Sequence, residues 1–385
     1  LPCGAITANI PTIAPMEKPL ALRRPLFLML ALVGACEGTA PVTAGDAGAI
    51  DATKDAAEED AGVDAAEEDA GVAELDVPPD RVRVVPTTWP PSPPPMPTYS
   101  RGACPTLRAG PGAAAGLNAD FPTGAARRQF RLIVPASYDP AGAERWPLLV
   151  AWHWLAGDSG QLVREGDIEA AAARYRMIVV VPDQQREADG RASNYFTWPF
   201  ILSSRPEAER IFLDDMLACV TAQYRVDPAR VHAMGVSAGA LWLTSLLNTQ
   251  YAQRFASVAI LSGGLGYVPN VLRLEYEPQP NKFPALVVWG GPSDRLLVDF
   301  DDASRRLRDA LVDDGHFVIA CTHDRGHALP PLVAPAPDEP RSAFVWRFFL
   351  DHPYGRAPAT SPYLAAGLPP GAPSWCGIPP EIRGR

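Results

Sequence analysis

The chain has 385 residues and few of the side chains that usually build metal or redox sites: six cysteines and six histidines. No CxxC pair and no His/Cys grouping among them suggests a metal site, which leaves no case for the common zinc frameworks or paired-thiol redox motifs. No apolar run is long enough to cross a bilayer as a helix. There is also no basic excess. The formal net charge is −10, and thirteen acids against a single lysine fall between Gly45 and Asp80. The rest is nearly balanced, which leaves no electrostatic case for binding nucleic acid.

What is present begins with an export pattern. From Met16, the basic residues Lys18, Arg23 and Arg24 precede the apolar run Pro25 to Ala35, and small residues then lead to Cys36. Residues 16–36 are therefore expected to be a signal peptide. The "LVGAC" ending resembles a bacterial lipobox, in which Cys36 would carry lipid and anchor the protein without spanning the membrane. Ordinary signal cleavage near Ala40 is the alternative. Residues 1–15 lack signal character and read as an upstream mis-start. Residues 55–72 repeat a nine-residue acidic unit, and a proline-rich stretch follows. With little apolar area to offset chain entropy, residues 37–100 are expected to be a disordered tether.

The folded domain is expected over 101–385. Seven short runs rich in Val, Ile and Leu read as strands: 129–135, 146–153, 177–183, 230–236, 256–262, 284–290 and 316–321. Their continuous hydrophobicity suits strands covered on both faces. Helix patterns lie between them, near 165–175, 205–224, 238–250, 301–314 and 340–350. This alternation predicts an α/β domain with a mainly parallel sheet flanked by helices. Four cysteines remain for an exported domain, where disulfides persist. The pairs Cys104–Cys376 and Cys219–Cys321 are expected.

The stretch "HAMGVSAGA", residues 232–240, places Ser237 between Gly235 and Gly239. Gly-x-Ser-x-Gly at a junction of predicted strand and predicted helix suits a sharp turn that exposes a serine hydroxyl. The glycines would let strand and helix approach closely. A serine needs a base to take its proton. Of the six histidines, His327 fits best: it follows the last predicted strand, after a glycine that allows a tight turn, with His323 as the fallback. Asp294, on the loop after 284–290, would orient that imidazole. Asp301 and Asp302 are rivals, better suited to the first turn of the next helix. Backbone N–H groups of Ala238 and of Trp154 or Leu155 would face the developing oxyanion, with His153 bracing the latter loop.

With these residues in place, the domain resembles the α/β-hydrolases, in particular the secreted poly(3-hydroxybutyrate) depolymerase and feruloyl esterase group. The resemblance rests on "FRLIVPASYDPAGAERWPLLVAWH", "DPARVHAMGVSAGA", "VVWGGPSD" and "GHALP", and covers roughly 101–352. It implies ester hydrolysis by a Ser–His–Asp triad without metal or organic cofactor, with Ser237, Asp294 and His327 on the triad positions. The chain departs from the group at His153-Trp154, where His-Gly is usual, and at Gly239-Ala240, where Gly-Gly is common. Both departures bear on substrate range. The substrate would be a polyester or a plant cell-wall ester, and Tyr195, Phe196 and Trp198 would form an aromatic wall for it. Capping of the core by these rings is the bland alternative. A prolyl-oligopeptidase-type peptidase shares the triad order, but no propeller repeats precede the domain. A non-catalytic binding protein is the third reading, and the filled triad positions oppose it.

Overall fold

The computed structural model describes residues 92–185, 198, 206–268 and 272–383. The chain forms β1 (Leu117–Thr123), β2 (Ala126–Ile133), β3 (Trp146–Trp152), β4 (Ile178–Pro182), β5 (Val226–Val236), β6 (Val258–Leu261), β7 (Gly266–Val268), β8 (Leu272–Leu274), β9 (Ala285–Trp289), β10 (Val318–Thr322) and β11 (Cys376–Gly377). Nine of these make one sheet in the order β1-β2-β4-β3-β5-β6-β9-β10-β11. The six strands from β4 to β10 in that order run parallel, and β1, β2 and β11 are antiparallel additions at the two edges. The small β7–β8 hairpin stands apart.

The seven predicted strands are all present, and the reason is visible in their burial. Every residue of β3, β4, β6 and β9 is buried, as expected for strands covered on both faces. The principal helices are α1 (Ser159–Glu165), α2 (Ile168–Tyr175), α3 (Pro206–Gln223), α4 (Ala238–Leu247), α5 (Phe300–Asp313) and α6 (Ala343–Asp351). The predicted helix at 165–175 is instead the end of α1 and all of α2. Gly166 and Asp167, the latter at φ 57°, break the run between them. On α5, Phe300, Ala303, Leu307 and Leu311 face the core. Arg305–Asp301 and Arg306–Asp302 pair one turn apart along the helix; the exposed Arg306–Asp302 pair is worth a few tenths of a kcal/mol.

Two expectations need correction. The cysteines pair as Cys104–Cys219 and Cys321–Cys376, not as Cys104–Cys376 and Cys219–Cys321. The C-terminal segment returns along the edge of β10, so Cys376 lies opposite Cys321 in register. Cys219 sits on α3, to which the segment before β1 is tied. The expected tether boundary at residue 100 is also too late. Tyr99 is buried and its hydroxyl donates to the Pro122 carbonyl. Ser100 donates twice to the buried Asp215 carboxylate, and Arg254 donates to the carbonyls of Pro94 and Pro95. The last part of the proline-rich stretch is thus part of the packed domain.

Two core histidines make the fold sensitive to acid. His232 on β5 and His352 after α6 are fully buried. Burial pushes His232 down to about 3 and His352 down to about 4. Unfolded histidine titrates near 6.5. Between that value and the folded values, the unfolded chain binds protons that the native state refuses, so stability falls as pH drops. We expect unfolding free energy to decline by roughly 6 kcal/mol from pH 7 to pH 4 through these two residues. Denaturant melts across that range will check it, and His352→Gln should flatten the slope.

Candidate active site

The sheet order creates the site. From β3 the chain passes to β4 on one side, then crosses to β5 on the other, so the loops leaving β3 and β5 diverge. Such a switch point at the carboxyl ends of parallel strands opens a crevice. The loops after β3, β5, β6, β9 and β10 all leave at that edge.

Ser237 stands between β5 and α4 at φ 53° and ψ −117°, a conformation costing on the order of 1–3 kcal/mol for a residue with a side chain. The flanking glycines make it possible. A Cβ on Gly235 would collide with the backbone of Gly239 and Ala240. A Cβ on Gly239 would lie 2.5 Å from the Trp152 carbonyl oxygen and 2.6 Å from that of His153. The turn is therefore pressed against the loop after β3, as the Gly-x-Ser-x-Gly pattern requires.

His327 reaches the serine from the loop after β10. Its Nε2 lies 2.8 Å from Ser237 Oγ, and its Nδ1 lies 2.6 Å from Asp294 Oδ1. Gly326 adopts φ +60° just before it, and the Gly326 N–H donates to Gly290 O at 3.2 Å. A Cβ on Gly290 would run into the Gly326 backbone, so the acid loop and the histidine loop meet glycine to glycine. The Phe300 ring stacks on the imidazole at 4.3 Å.

Asp294 is fully buried. Burial alone would raise its carboxyl, but hydrogen bonds from His327, the Gly290 N–H and the Ser262 hydroxyl outweigh that and hold it below the usual carboxylate value. The last two bonds are 2.7 and 2.8 Å long, both to Oδ2. An ionised carboxylate can only accept, so His327 Nδ1 carries the proton facing it. Nε2 of the neutral ring then accepts from the Ser237 hydroxyl. The array can take a proton from Ser237 and stabilise the imidazolium that results.

The other predicted residues divide. Ala238 begins α4, and its N–H makes no hydrogen bond among the described residues, as expected of a first helical turn. Trp154 and Leu155 lie half-buried just past β3. His323 is buried against Trp375 at 5.6 Å, and its Nδ1 accepts from the Arg325 N–H; it does not join the Ser237 array. Asp301 accepts from Trp289 Nε1 and pairs with Arg305, and Asp302 pairs with Arg306, which places both rivals at the start of α5. Tyr195, Phe196 and Cys36 lie outside the described residues. Trp198 is fully buried, and its indole N–H donates to His153 O at 2.8 Å. That matches core capping rather than an exposed aromatic wall.

Sequence reasoning missed Ser262, Gly290 and Phe300. Ser262 carries a weak signal, because it ends the strand "ASVAILS" at the same edge as the other site residues. No local pattern marks Phe300, whose partner His327 is distant in sequence, and the backbone N–H of Gly290, four residues before Asp294, carries no side-chain signal.

Part of the chain is similar to known esterases. The family described as "Esterase PHB depolymerase" matches residues 133–268. Poly(3-hydroxyalkanoate) depolymerase C of Paucimonas lemoignei is 29% identical over 147 residues, which are 38% of this chain and 33% of that protein. The chain thus spans about a third of the length of that relative. Among solved structures, sOPH in its native form superposes with a TM-score of 0.55 at 18% identity, covering 74% of this chain and 98% of that one. A pOPH variant in complex with DMSO gives 0.56 at 16% identity, covering 68% and 92%. These likenesses establish the fold. The chain thus has the α/β fold of these structures, and its segment 133–268 is similar to the esterase family.

Proposed function

We propose that this protein is an exported serine esterase that hydrolyses carboxylic esters through an acyl-enzyme. The observation that carries this reading is the unbroken array Asp294–His327–Ser237 at 2.6 and 2.8 Å. Ser237 Oγ attacks the ester carbonyl while His327 Nε2 takes its proton. The carbonyl electrons move onto oxygen, where the N–H of Ala238 and one from Trp154 or Leu155 receive the charge. The intermediate collapses, the C–O bond to the alcohol breaks, and His327 returns the proton to the leaving oxygen. Water then attacks the acyl-serine by the reverse sequence and releases the acid. No step calls for a metal or an organic cofactor.

An apolar polyester suits this site best among esters. The similarity to a poly(3-hydroxyalkanoate) depolymerase favours it. So does the distribution of exposed apolar side chains. Among the described residues the large ones are Tyr267, Leu296, Leu297 and Val333. Tyr267 lies in β7, in the segment that follows β6, the two leucines follow Asp294, and Val333 follows His327, all on segments that leave the edge holding the site. Exposed apolar side chains on these segments favour a water-poor substrate surface. The double variant Leu296→Ser/Leu297→Ser should lose several-fold more activity on suspended polymer than on a soluble ester.

Export is supported by the signal-like segment ending at Cys36 and by the two disulfides. Among the described residues no helix is long and apolar enough to cross a membrane. Lipid attachment at Cys36 would supply the only membrane contact proposed.

The deciding experiment is turnover of a substrate panel: 4-nitrophenyl acetate and butyrate, methyl ferulate, acetylated xylan and a 3-hydroxybutyrate oligomer. Preference for the oligomer supports the polyester reading. Preference for ferulate or xylan makes the protein a plant cell-wall esterase. Hydrolysis of amides but not esters would overturn the esterase assignment.

A further inference from the structure

The loop between β3 and α1, residues 153–158, must present a backbone N–H at one position for the charge on a tetrahedral intermediate. A six-residue loop does not hold a peptide plane by itself. Here two consecutive peptides are each held by a hydrogen bond to the carbonyl. Trp198 Nε1 donates to His153 O at 2.8 Å. His153 Nδ1 lies 2.8 Å from Trp154 O, and since a carbonyl only accepts, that nitrogen carries the proton. The two rings also pack together, with centroids 5.0 Å apart, and both are fully buried.

In a trans peptide the N–H points opposite to its C=O. Fixing His153 O therefore fixes the Trp154 N–H, and fixing Trp154 O fixes the Leu155 N–H. These are the two candidate donors of the loop. The other end is held as well. The buried Asp183 carboxylate, at the end of β4, accepts from the backbone N–H and the hydroxyl of Ser159 at 2.7 and 2.6 Å, and from Gln129. The same carboxylate faces His153 Nε2 at 3.9 Å. On its inner side the loop abuts Gly239, where even one methyl group would collide with the carbonyls of Trp152 and His153.

We propose that Trp198 and His153 are positioning residues that clamp the oxyanion loop, so that its N–H groups are aimed before substrate arrives. This rests on the serine esterase reading above. Neither side chain contacts the reacting atoms. Both act through peptides 153–154 and 154–155, and the cost of aiming a donor is borne in folding rather than in the transition state. The clamp also gives the His153-Trp154 departure a consequence: where a side chain replaces the usual glycine, the loop has less freedom, and its donors depend on these two bonds.

The test uses the whole chain, wild type and variants, with 4-nitrophenyl butyrate and with a trifluoromethyl ketone. The ketone adds Ser237 reversibly to form a tetrahedral oxyanion. Trp198→Phe keeps the ring and removes the N–H. It is expected to lower kcat by about 10–100-fold, less than the loss on deleting a donor outright. KM should stay within about two-fold, and the ketone inhibition constant should rise in step with the fall in kcat. Should Trp198→Phe fold poorly by its melting curve, the second pair decides. His153→Asn keeps an N–H near the Nδ1 position and should retain much more kcat than His153→Leu. Unchanged kcat and ketone affinity in Trp198→Phe, or equal losses in the Asn and Leu variants, overturn the clamp while the esterase reading stands. If wild type turns over no ester, the esterase reading falls and the clamp with it.

Discussion

Ser237→Ala is expected to lower kcat for ester hydrolysis by about 10⁴-fold or more, to the residual level that binding and oxyanion donors supply without a nucleophile. KM should change little, because the hydroxyl is small and most of the binding surface remains. A fluorophosphonate should label wild type at Ser237 and leave the variant unlabelled, as read by mass spectrometry of the peptide. Equal turnover in wild type and variant would remove Ser237 from the mechanism. A companion variant separates chemistry from fold. Ser237 sits at φ 53°, where only glycine is unstrained, so Ser237→Gly should lose activity equally and gain about 1 kcal/mol of stability. Activity lost together with a gain in melting temperature is the signature of a residue kept for reaction at the expense of stability.

The second large effect is expected at Asp294→Asn, with a fall in kcat of about 10³–10⁴-fold. The asparagine is nearly isosteric, so the loss comes from protons. Asp294 is held ionised by three donors, two of them fixed by the fold: the Gly290 N–H and the Ser262 hydroxyl. It can therefore accept from His327 Nδ1 and stabilise the imidazolium. Asparagine carries no charge, and it can offer its own N–H to that ring, favouring the wrong tautomer. The acid limb of the pH profile follows from the same shift. The folded carboxyl lies below its unfolded value, so its stabilising contribution is complete above about pH 4. That contribution is lost only as pH falls through the lower, folded value. Asp294 protonation therefore does not produce a loss of activity between pH 5 and 7. Ser262→Ala removes one of the fixed donors and should move the carboxyl up, with a kcat loss of about ten-fold or less.

Much of this was legible in the chain because the relevant signals are local. A buried parallel strand needs a continuous apolar run, and all seven predicted runs became strands. A strand pressed against the following helix needs Gly235 and Gly239, and their spacing marks Ser237 before any coordinates. A tight turn at positive φ needs Gly326, and that marked His327. Asp294 stood out as an acid on a loop leaving the same edge.

What only the tertiary structure decided depends on which distant segments become neighbours. The cysteine pairs are set by the C-terminal strand returning to the edge of β10 and by the segment before β1 lying against α3, and no local pattern encodes either choice. Phe300 and Gly290 enter the site through a ring contact and a backbone N–H that leave no sequence signature. Trp198 is the sharpest case. An aromatic-rich loop beside a crevice reads equally as a substrate wall or as core, because hydrophobicity alone does not say which side the ring will face. The fold settles it by burying the ring and giving its one polar atom the carbonyl of His153. Local chemistry determined which residues can react, and the packing of distant segments determined which residues hold them in place.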